Sequence, residues 1–476
     1  MNNTTSSTVI VGGGFVGLFT ALHLSHHHYE EPVVLIDSNE NFTFKPLLYE
    51  HLTGEMKNLQ VFPSYEDLLE GTNVMFKRDK VTKIDLQKRR IELASGSHYD
   101  YKHLVLGVGS SQGYLGTEGA KEYGFAFRTQ EDTVTLEKHL RSCLQQAIQA
   151  EPEVKKALTT VAVVGAGPSG VEMAATLGDL LPIWYEELGG DIVDLRIVLV
   201  NHSNQILKGD ANSHLQETAF EALHNRTVPV ELLLGAGVIK VTSDRLEYQL
   251  KDEDTTKALP ARTVVWTAGT ATNPLIENLL LTDEEKNKHG LPFVNPNLQL
   301  LQHPEVFAAG DCAVVEERDY APLAQIAYQE AATIATNLVA LSKNQELHPV
   351  DASMRGTLMK LGIRNGVANL FDKVKINGRT GDTIRNVTYL EMLPTPIHNF
   401  NATTQWLKEE IFHRYHQPQT PAEKREKQAK AVTLTGLTST VVVALAALAL
   451  LGGSIAVWYA VYPKQPAPTQ EQNNLN

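Results

Sequence analysis

One local pattern constrains this chain more than any other, and it occurs twice. Thr8-Val9-Ile10-Val11, a short apolar run, leads into Gly12-Gly13-Gly14-Phe15-Val16-Gly17, a helical pattern through Leu24, and a second apolar run, Val33 to Ile36, that ends in Asp37. About 150 residues later, Val161-Ala162-Val163-Val164 leads into Gly165-Ala166-Gly167-Pro168-Ser169-Gly170, a helix expected from Val171 to about Leu180, and a strand from Leu195 to Val200. Apolar runs this short, bounded by glycines, read as strands of a parallel sheet covered on both faces. One G-x-G-x-x-G is weak evidence. Two copies, each between a strand and a helix, are strong evidence for nucleotide cradles.

The glycines have separate tasks. The first permits a tight turn, the second lets a pyrophosphate approach the backbone, and the third lets helix and strand pack closely. The phosphates then meet free N–H groups at a helix N-terminus. Gly12, Gly14 and Gly17 form one such set, and Gly165, Gly167 and Gly170 the other. Asp37 stands where an acidic side chain accepts hydrogen bonds from ribose hydroxyls, which fits FAD or NAD. The equivalent position in the second unit is Asn201. An amide does not repel a 2′-phosphate, so NADPH should be tolerated beside NADH. No arginine adjoins Asn201 to clamp that phosphate.

The expected fold class is therefore α/β, with two Rossmann-like dinucleotide-binding domains. A chain of 476 residues has room for about three domains. Lys+Arg 42 against Asp+Glu 55 leaves a net charge of −13, which argues against a nucleic-acid partner. The two cysteines, Cys143 and Cys312, are far apart and rule out a disulfide scaffold, a cysteine zinc ribbon and a C-x-x-C redox centre. His26-His27-His28 are adjacent and cannot converge on one helix face, so no metal site is expected. Met1 to Thr8 lacks an apolar signal core, so the main body is expected to stay in the cytoplasm.

The far end departs from the soluble pattern. No charged residue occurs between Lys430 and Lys464, and Thr440 to Val461 is almost wholly apolar. About 20 residues suffice to cross a bilayer, so a transmembrane helix is expected over residues 431–462, with a polar tail at 463–476. Trp458, Tyr459 and Tyr462 suit an interface belt. Lys424, Arg425, Lys427 and Lys430 precede the span and only Lys464 follows it, which puts the catalytic domains on the cytoplasmic side. Gly452-Gly453 and Ala456 offer a small-residue spacing, a weak pointer to a homodimer.

Further landmarks are the apolar strand Tyr101 to Gly109, the stretch Val264-Val265-Trp266-Thr267-Ala268-Gly269, and Val306 to Ala313 (VFAAGDCA). With both glycine loops in this order, the chain resembles the two-dinucleotide-binding flavoprotein reductases. That resemblance implies non-covalent FAD in the first loop and NAD(P)H in the second, with Gly109, Gly269 and Asp311 at the flavin. The disulfide and sulfide:quinone reductases of that family need cysteines beside the flavin, which Cys143 and Cys312 do not resemble. Phe44-Lys45-Pro46-Leu47-Leu48-Tyr49 looks like the FxPLLY segment of type II NADH dehydrogenases, which implies that Pro46 and Leu47 touch the flavin. Ala324-Gln325-Ile326-Ala327-Tyr328-Gln329 resembles their AQxAxQ quinone motif. Gly356 to Gly362 resembles the strand that follows.

Helical spacing puts Gln325 and Gln329 on one face. They either hydrogen-bond quinone carbonyls or cap the helix or bridge it to the flavin domain, and the motif favours the quinone. Glu172, two residues after Gly170, matches a family glutamate near the meeting of nicotinamide and flavin. Charge–dipole stabilisation of a helix start and proton handling at the flavin are both open to it. Departures are Gly107-Val108-Gly109 in place of the family's ATG, and residues 367–417, where Trp406, Leu407, Ile411, Phe412 and Tyr415 form an apolar face for the core or for lipid.

The resemblance implies oxidation of NADH or NADPH through FAD and two-electron reduction of a membrane quinone without proton pumping. Reduction of a protein carrier, as by ferredoxin or rubredoxin reductases, and a flavin-binding redox sensor are the rival readings. The expected division is FAD-binding at 1–155 and 265–345, NAD(P)H-binding at 156–264, a C-terminal region and basic linker at 346–430, then the lipid-spanning helix.

Overall fold

The structure, a computed structural model, describes residues 7–406 except 210–212, 317, 319, 355, 371–373, 396–401 and 405. The expected membrane span at 431–462 and the tail at 463–476 lie outside the described residues, as do Leu407, Ile411, Phe412 and Tyr415.

The first apolar run forms the strand Ser7–Val11, buried along its whole length. It lies between two parallel neighbours, Val33–Asp37 and His98–Leu106. Partners on both edges and cover on both faces explain why its residues are apolar without alternation. Val74–Arg78 extends the sheet beyond Val33–Asp37. Along its other edge, His98–Leu106 serves two partners in turn. Its first residues pair antiparallel with Arg90–Leu93, and its last three pair parallel with Val306–Ala308. That second pairing returns a distant segment to the first sheet. The helices Phe15–His26 and Ala324–Ser342 pack side by side. Thr20 Oγ1 donates to the Ala331 carbonyl at 3.4 Å between them.

The second unit is a parallel sheet in the order Val230–Leu234, Arg196–Asn201, Thr160–Val164, Thr263–Trp266 and Gly124–Phe125. An antiparallel sheet of Ala236–Val241, Arg245–Leu250 and Thr256–Pro260 accompanies it. The chain passes between the two large sheets at a small ribbon, where Ser111–Gln112 pairs with Thr270–Ala271. The first crossing thus lies well before the 155/156 boundary expected from the sequence. Gly124–Phe125 already belongs to the second sheet, and helix Gln130–Ala147 buries Leu136, Leu140, Cys143 and Leu144 in the second core. A two-residue strand carries no readable periodicity.

The helix after the second loop also differs from expectation. It begins at Pro168 and runs to Glu187, through Pro182. Proline suits the first helical position, where its missing N–H is unpaired in any case. At Pro182 one internal hydrogen bond is forgone, but burial of Leu177, Leu181, Trp184 and Tyr185 holds the helix together on both sides of it. His26, His27 and His28 are exposed at the end of the first helix.

Beyond Ser342, Gly356–Lys360, Gly366–Leu370 and Val374–Asn377 form an antiparallel sheet, followed by helix Gly378–Glu391. This module bridges both cores. Met359, Leu361 and Val367 join the second, whereas Leu390, Leu393 and Trp406 join the first. Trp406, the one residue of the expected apolar face that is described, therefore packs on the core.

Candidate active site

The structure separates the tasks of the loop glycines. Gly12 has φ +93°, and a Cβ there would lie 2.7 Å from the Gly107 carbonyl oxygen. A Cβ on Gly17 would lie 1.8 Å from the Gly12 carbonyl oxygen. The protein's own packing demands both glycines. Gly14 is different. Its backbone is extended (φ −69°, ψ −163°), and a Cβ would meet only the Gly107 oxygen, at an ordinary 3.7 Å.

The second loop repeats this. Gly165 has φ +103°, and a Cβ on Gly170 would lie 1.7 Å from the Gly165 oxygen. Gly167, also extended (φ −73°, ψ −177°), would meet nothing within 4 Å. Protein packing thus explains four of the six glycines. Gly14 and Gly167 are each exposed at a helix N-terminus, where a missing side chain lets a diphosphate reach the free N–H groups. The loops therefore fit dinucleotides.

Asp37 accepts the Gly13 N–H at 2.6 Å and, through its other oxygen, the Asn39 backbone N–H at 2.8 Å. Asn201 makes the same tie in the second unit. Its Oδ1 accepts the Ala166 N–H at 3.1 Å, and its Nδ2 donates to the carbonyls of Ser203 (3.2 Å) and Gln205 (3.0 Å). One scaffold position thus carries a carboxylate in the first cradle and a neutral amide in the second.

Three turns meet at Val16. Cβ atoms on Gly107 and Gly310 would lie 3.1 and 3.0 Å from its side chain. Gly109 follows the first of these turns with φ +61°, and Asp311 follows Gly310. Ser110 Oγ donates to Asp311 at 2.8 Å, and Arg128 Nη2 donates to both the Ser110 carbonyl (2.9 Å) and its Oγ (2.8 Å). Buried Glu330 accepts the Gly310 N–H at 2.8 Å, and burial pushes its carboxyl above the usual range. Sequence reading missed Ser110, Arg128 and Glu330, because no local motif marks them. Gly269, with φ +76°, lies beside Leu115 at the crossing ribbon.

Ala324 opens helix Ala324–Ser342. Gln325 Nε2 donates to the Gly356 carbonyl at 3.0 Å. Gln329 Nε2 donates to the Ser353 carbonyl at 3.0 Å, and its Oε1 accepts the Ser353 N–H at 3.2 Å. These amides bridge the helix to the segment entering strand Gly356–Lys360.

Glu172 lies beyond the first turn, because the helix starts at Pro168 rather than Val171. The dipole role weakens accordingly, since that effect fades within one turn. Its Oε1 accepts the Lys360 N–H at 2.7 Å and stands 3.7 Å from Arg385 Nη2. Glu50, wholly buried, meets Lys360 Nζ at 3.1 Å and Arg385 Nη1 at 2.5 Å. Lys360 Nζ also reaches Glu55 at 2.6 Å, and Arg385 Nη2 donates to the Pro46 carbonyl at 2.7 Å. Leu47 beside it is buried. Tyr49 donates to the Ser169 carbonyl at 3.1 Å, joining the Pro46 segment to the second nucleotide helix.

Charge balance explains the protonation of this junction. Burial alone would raise Glu50, but Arg385 and Lys360 overcome it and hold Glu50 ionised below the usual range. The two cations are thereby matched by Glu50 and Glu55. For Glu172, burial wins over Arg385 and the Lys360 N–H, and the carboxyl is pushed up to about 7. Burial likewise lifts Asp382 to about 7; Asn386 Nδ2 donates to it at 3.2 Å. Breaking one ion pair here would strand a buried charge, at a cost of about 3–5 kcal/mol.

The cysteines are apart from this junction. Burial pushes Cys312 up to about 12, and its Sγ donates to the Ala309 carbonyl at 3.1 Å. Cys143 lies 3.4 Å from His139 Nε2.

Comparison with known proteins agrees with this geometry. The pyridine nucleotide-disulphide oxidoreductase family matches residues 6–331. Demethylphylloquinone reductase NdbB of Synechocystis is 31% identical over 411 residues, covering 84% of this chain and 95% of that protein. Type II NADH:quinone oxidoreductase Ndh of Mycobacterium tuberculosis is 30% identical, over 70% of this chain and 72% of that one. The structure of NDH2 from Plasmodium falciparum in complex with NADH superposes with a TM-score of 0.76 at 20% identity, covering 86% and 99% of the two chains. Two cradles with one open glycine each, and relatives of this length and identity, place the chain in the pyridine nucleotide-disulphide oxidoreductase family, among the type II NAD(P)H dehydrogenases.

Proposed function

We propose that this chain oxidises NADH or NADPH with bound FAD and passes two electrons to a membrane quinone without pumping protons. The observation that carries the reading is the pair of open glycines, Gly14 and Gly167, in loops whose other glycines the protein itself closes. FAD, when bound, supplies hydride acceptance from nicotinamide and electron delivery to the quinone. The chain's own residues bind, orient and handle the proton. Gly12, Gly14 and Gly17 with Asp37 hold the flavin nucleotide, assisted by Pro46, Leu47, Gly109, Asp311 and the Ala324–Gln325 helix start. Gly269 lies at the crossing between the two units. Gly165, Gly167, Gly170 and Asn201 hold the pyridine nucleotide. Gln325 and Gln329 shape the quinone side through their hydrogen bonds to Ser353 and Gly356.

The apolar stretch at 431–462 anchors the enzyme as a single-pass helix with its catalytic domains in the cytoplasm, which brings an acidic protein to a lipid-borne substrate. Detergent-purified enzyme should be yellow and oxidise NAD(P)H in the presence of quinone. A chain ending at Lys430 should leave the membrane, keep its flavin and reduce a water-soluble quinone. A colourless protein that takes up no flavin would overturn the proposal, and a truncated chain that stays in the membrane fraction would overturn the anchor.

Asn201 predicts measurable NADPH use. Asn201→Asp should shift the ratio of kcat/KM towards NADH by about tenfold, the equivalent of about 1.4 kcal/mol. A carboxylate there repels a 2′-phosphate and binds ribose hydroxyls. An unchanged ratio would mean that specificity is set elsewhere.

A further inference from the structure

The charged junction has a member that no nucleotide loop explains. We propose that Arg385 is a positioning residue for the reaction: its guanidinium holds the Glu172 carboxyl beside the Pro46–Leu47 turn and controls when that carboxyl keeps its proton. The inference rests on the proposed quinone reduction and deepens it. NAD(P)H, quinone and one proton give NAD(P)+ and quinol. The hydride carries two electrons and one proton, so the second proton must come from a protein group or from water. Glu172 is placed to give it and to regain it from solvent.

Arg385 joins two distant stretches to its own helix. Nη1 is held by Glu50, while Nη2 donates to the Pro46 carbonyl and faces Glu172 at 3.7 Å. The other groups around Glu172 are accounted for. Lys360 offers its backbone N–H, while its ammonium is taken by Glu50 and Glu55. Tyr49 and Glu50 from helix Leu48–Leu52, and Asp382 and Tyr389 from helix Gly378–Glu391, bring no positive charge. Arg385 also lies over the Tyr389 ring, 4.9 Å from its centroid, which fixes the plane of the fork. It is thus the side-chain cation that acts most strongly to keep Glu172 ionised.

The test titrates the full-length, flavin-loaded enzyme by infrared spectroscopy. The band of a protonated carboxyl is assigned to Glu172 by its loss in Glu172→Gln, and quinone turnover is followed against pH in parallel. In Arg385→Gln the Glu172 midpoint and the alkaline limb of kcat should both move up by about one pH unit or more, since an adjacent arginine lowers a carboxyl by ~1–3 units. Arg385→Lys guards against failure to fold. It keeps a cation for Glu50, but a single ammonium cannot span to Glu172, so the shift should persist. If neither variant moves the midpoint, Arg385 is merely structural and the inference falls. If the midpoint moves while turnover ignores pH and survives Glu172→Gln, Arg385 still governs the carboxyl but the catalytic role of Glu172 is overturned, and the inference with it. Those two failures are read on different signals.

Discussion

Glu172→Gln should slow quinone turnover by about 10²–10⁴-fold, the usual worth of a positioned proton donor or acceptor, while flavin stays bound. Glutamine keeps the shape of the side chain and its acceptance of the Lys360 N–H, seen at 2.7 Å. What it loses is the exchangeable proton. Because burial pushes the Glu172 carboxyl up to about 7, it is largely protonated below that pH and ionised above it. As the donor, it should give a rate that is level in mild acid and falls through pH about 7. The glutamine variant should show a low rate without that limb. Stopped-flow mixing of flavin-loaded enzyme with NADH and then with quinone would locate the loss in the quinone half-reaction. An unchanged rate would remove Glu172 from the mechanism and leave it as an anchor for the Lys360 strand.

The second large effect concerns the open glycines. Gly14→Val should give a folded protein that has lost most of its flavin, and Gly167→Val one that keeps flavin but needs at least about tenfold more NADH, a penalty of about 1.4 kcal/mol or more. Both backbones are extended, and a Cβ at either site meets no protein atom closer than 3.7 Å. The fold therefore sets no steric bar to a Cβ at either site, and losing an N-cap glycine costs the helix only about 1 kcal/mol. The larger obstacle is a ligand approaching the helix N-terminus. Gly17→Ala and Gly170→Ala are the contrast, since their Cβ atoms would lie 1.8 and 1.7 Å from backbone oxygens and must disturb the protein itself. Flavin absorbance per mole of protein, the melting temperature and the KM for NADH separate these outcomes. A Gly14→Val protein that retains its flavin would mean that the first loop is not the flavin cradle.

These experiments address residues that became legible at different levels. Gly12 to Gly17 and Gly165 to Gly170 declare themselves because each cradle is encoded within one strand, one turn and one helix. Asp37 and Asn201 follow from the same logic, each lying at the end of the next strand. Glu172 was reachable from its offset to Gly170, but its surroundings were not. The partners that set its proton, Lys360 and Arg385, lie 188 residues or more away. No spacing rule connects residues so distant. Gln325 and Gln329 show a similar limit. Their shared face is a property of helical spacing, whereas their partners at Ser353 and Gly356 depend on how the next sheet docks.

The sequence by itself determined that this protein carries two nucleotide cradles, each built on a buried parallel strand, because a β-turn-α unit is dictated by short-range sterics and by continuous apolar character. Tertiary structure alone decided where the chain crosses between the two sheets, at Ser111–Gln112 and Thr270–Ala271, and which cations surround Glu172. The physical reason is burial. In water Glu50, Glu55, Lys360 and Arg385 would be ordinary surface charges. Packed together, they neutralise one another, and burial pushes the carboxyls left over, Glu172 and Asp382, up to about 7.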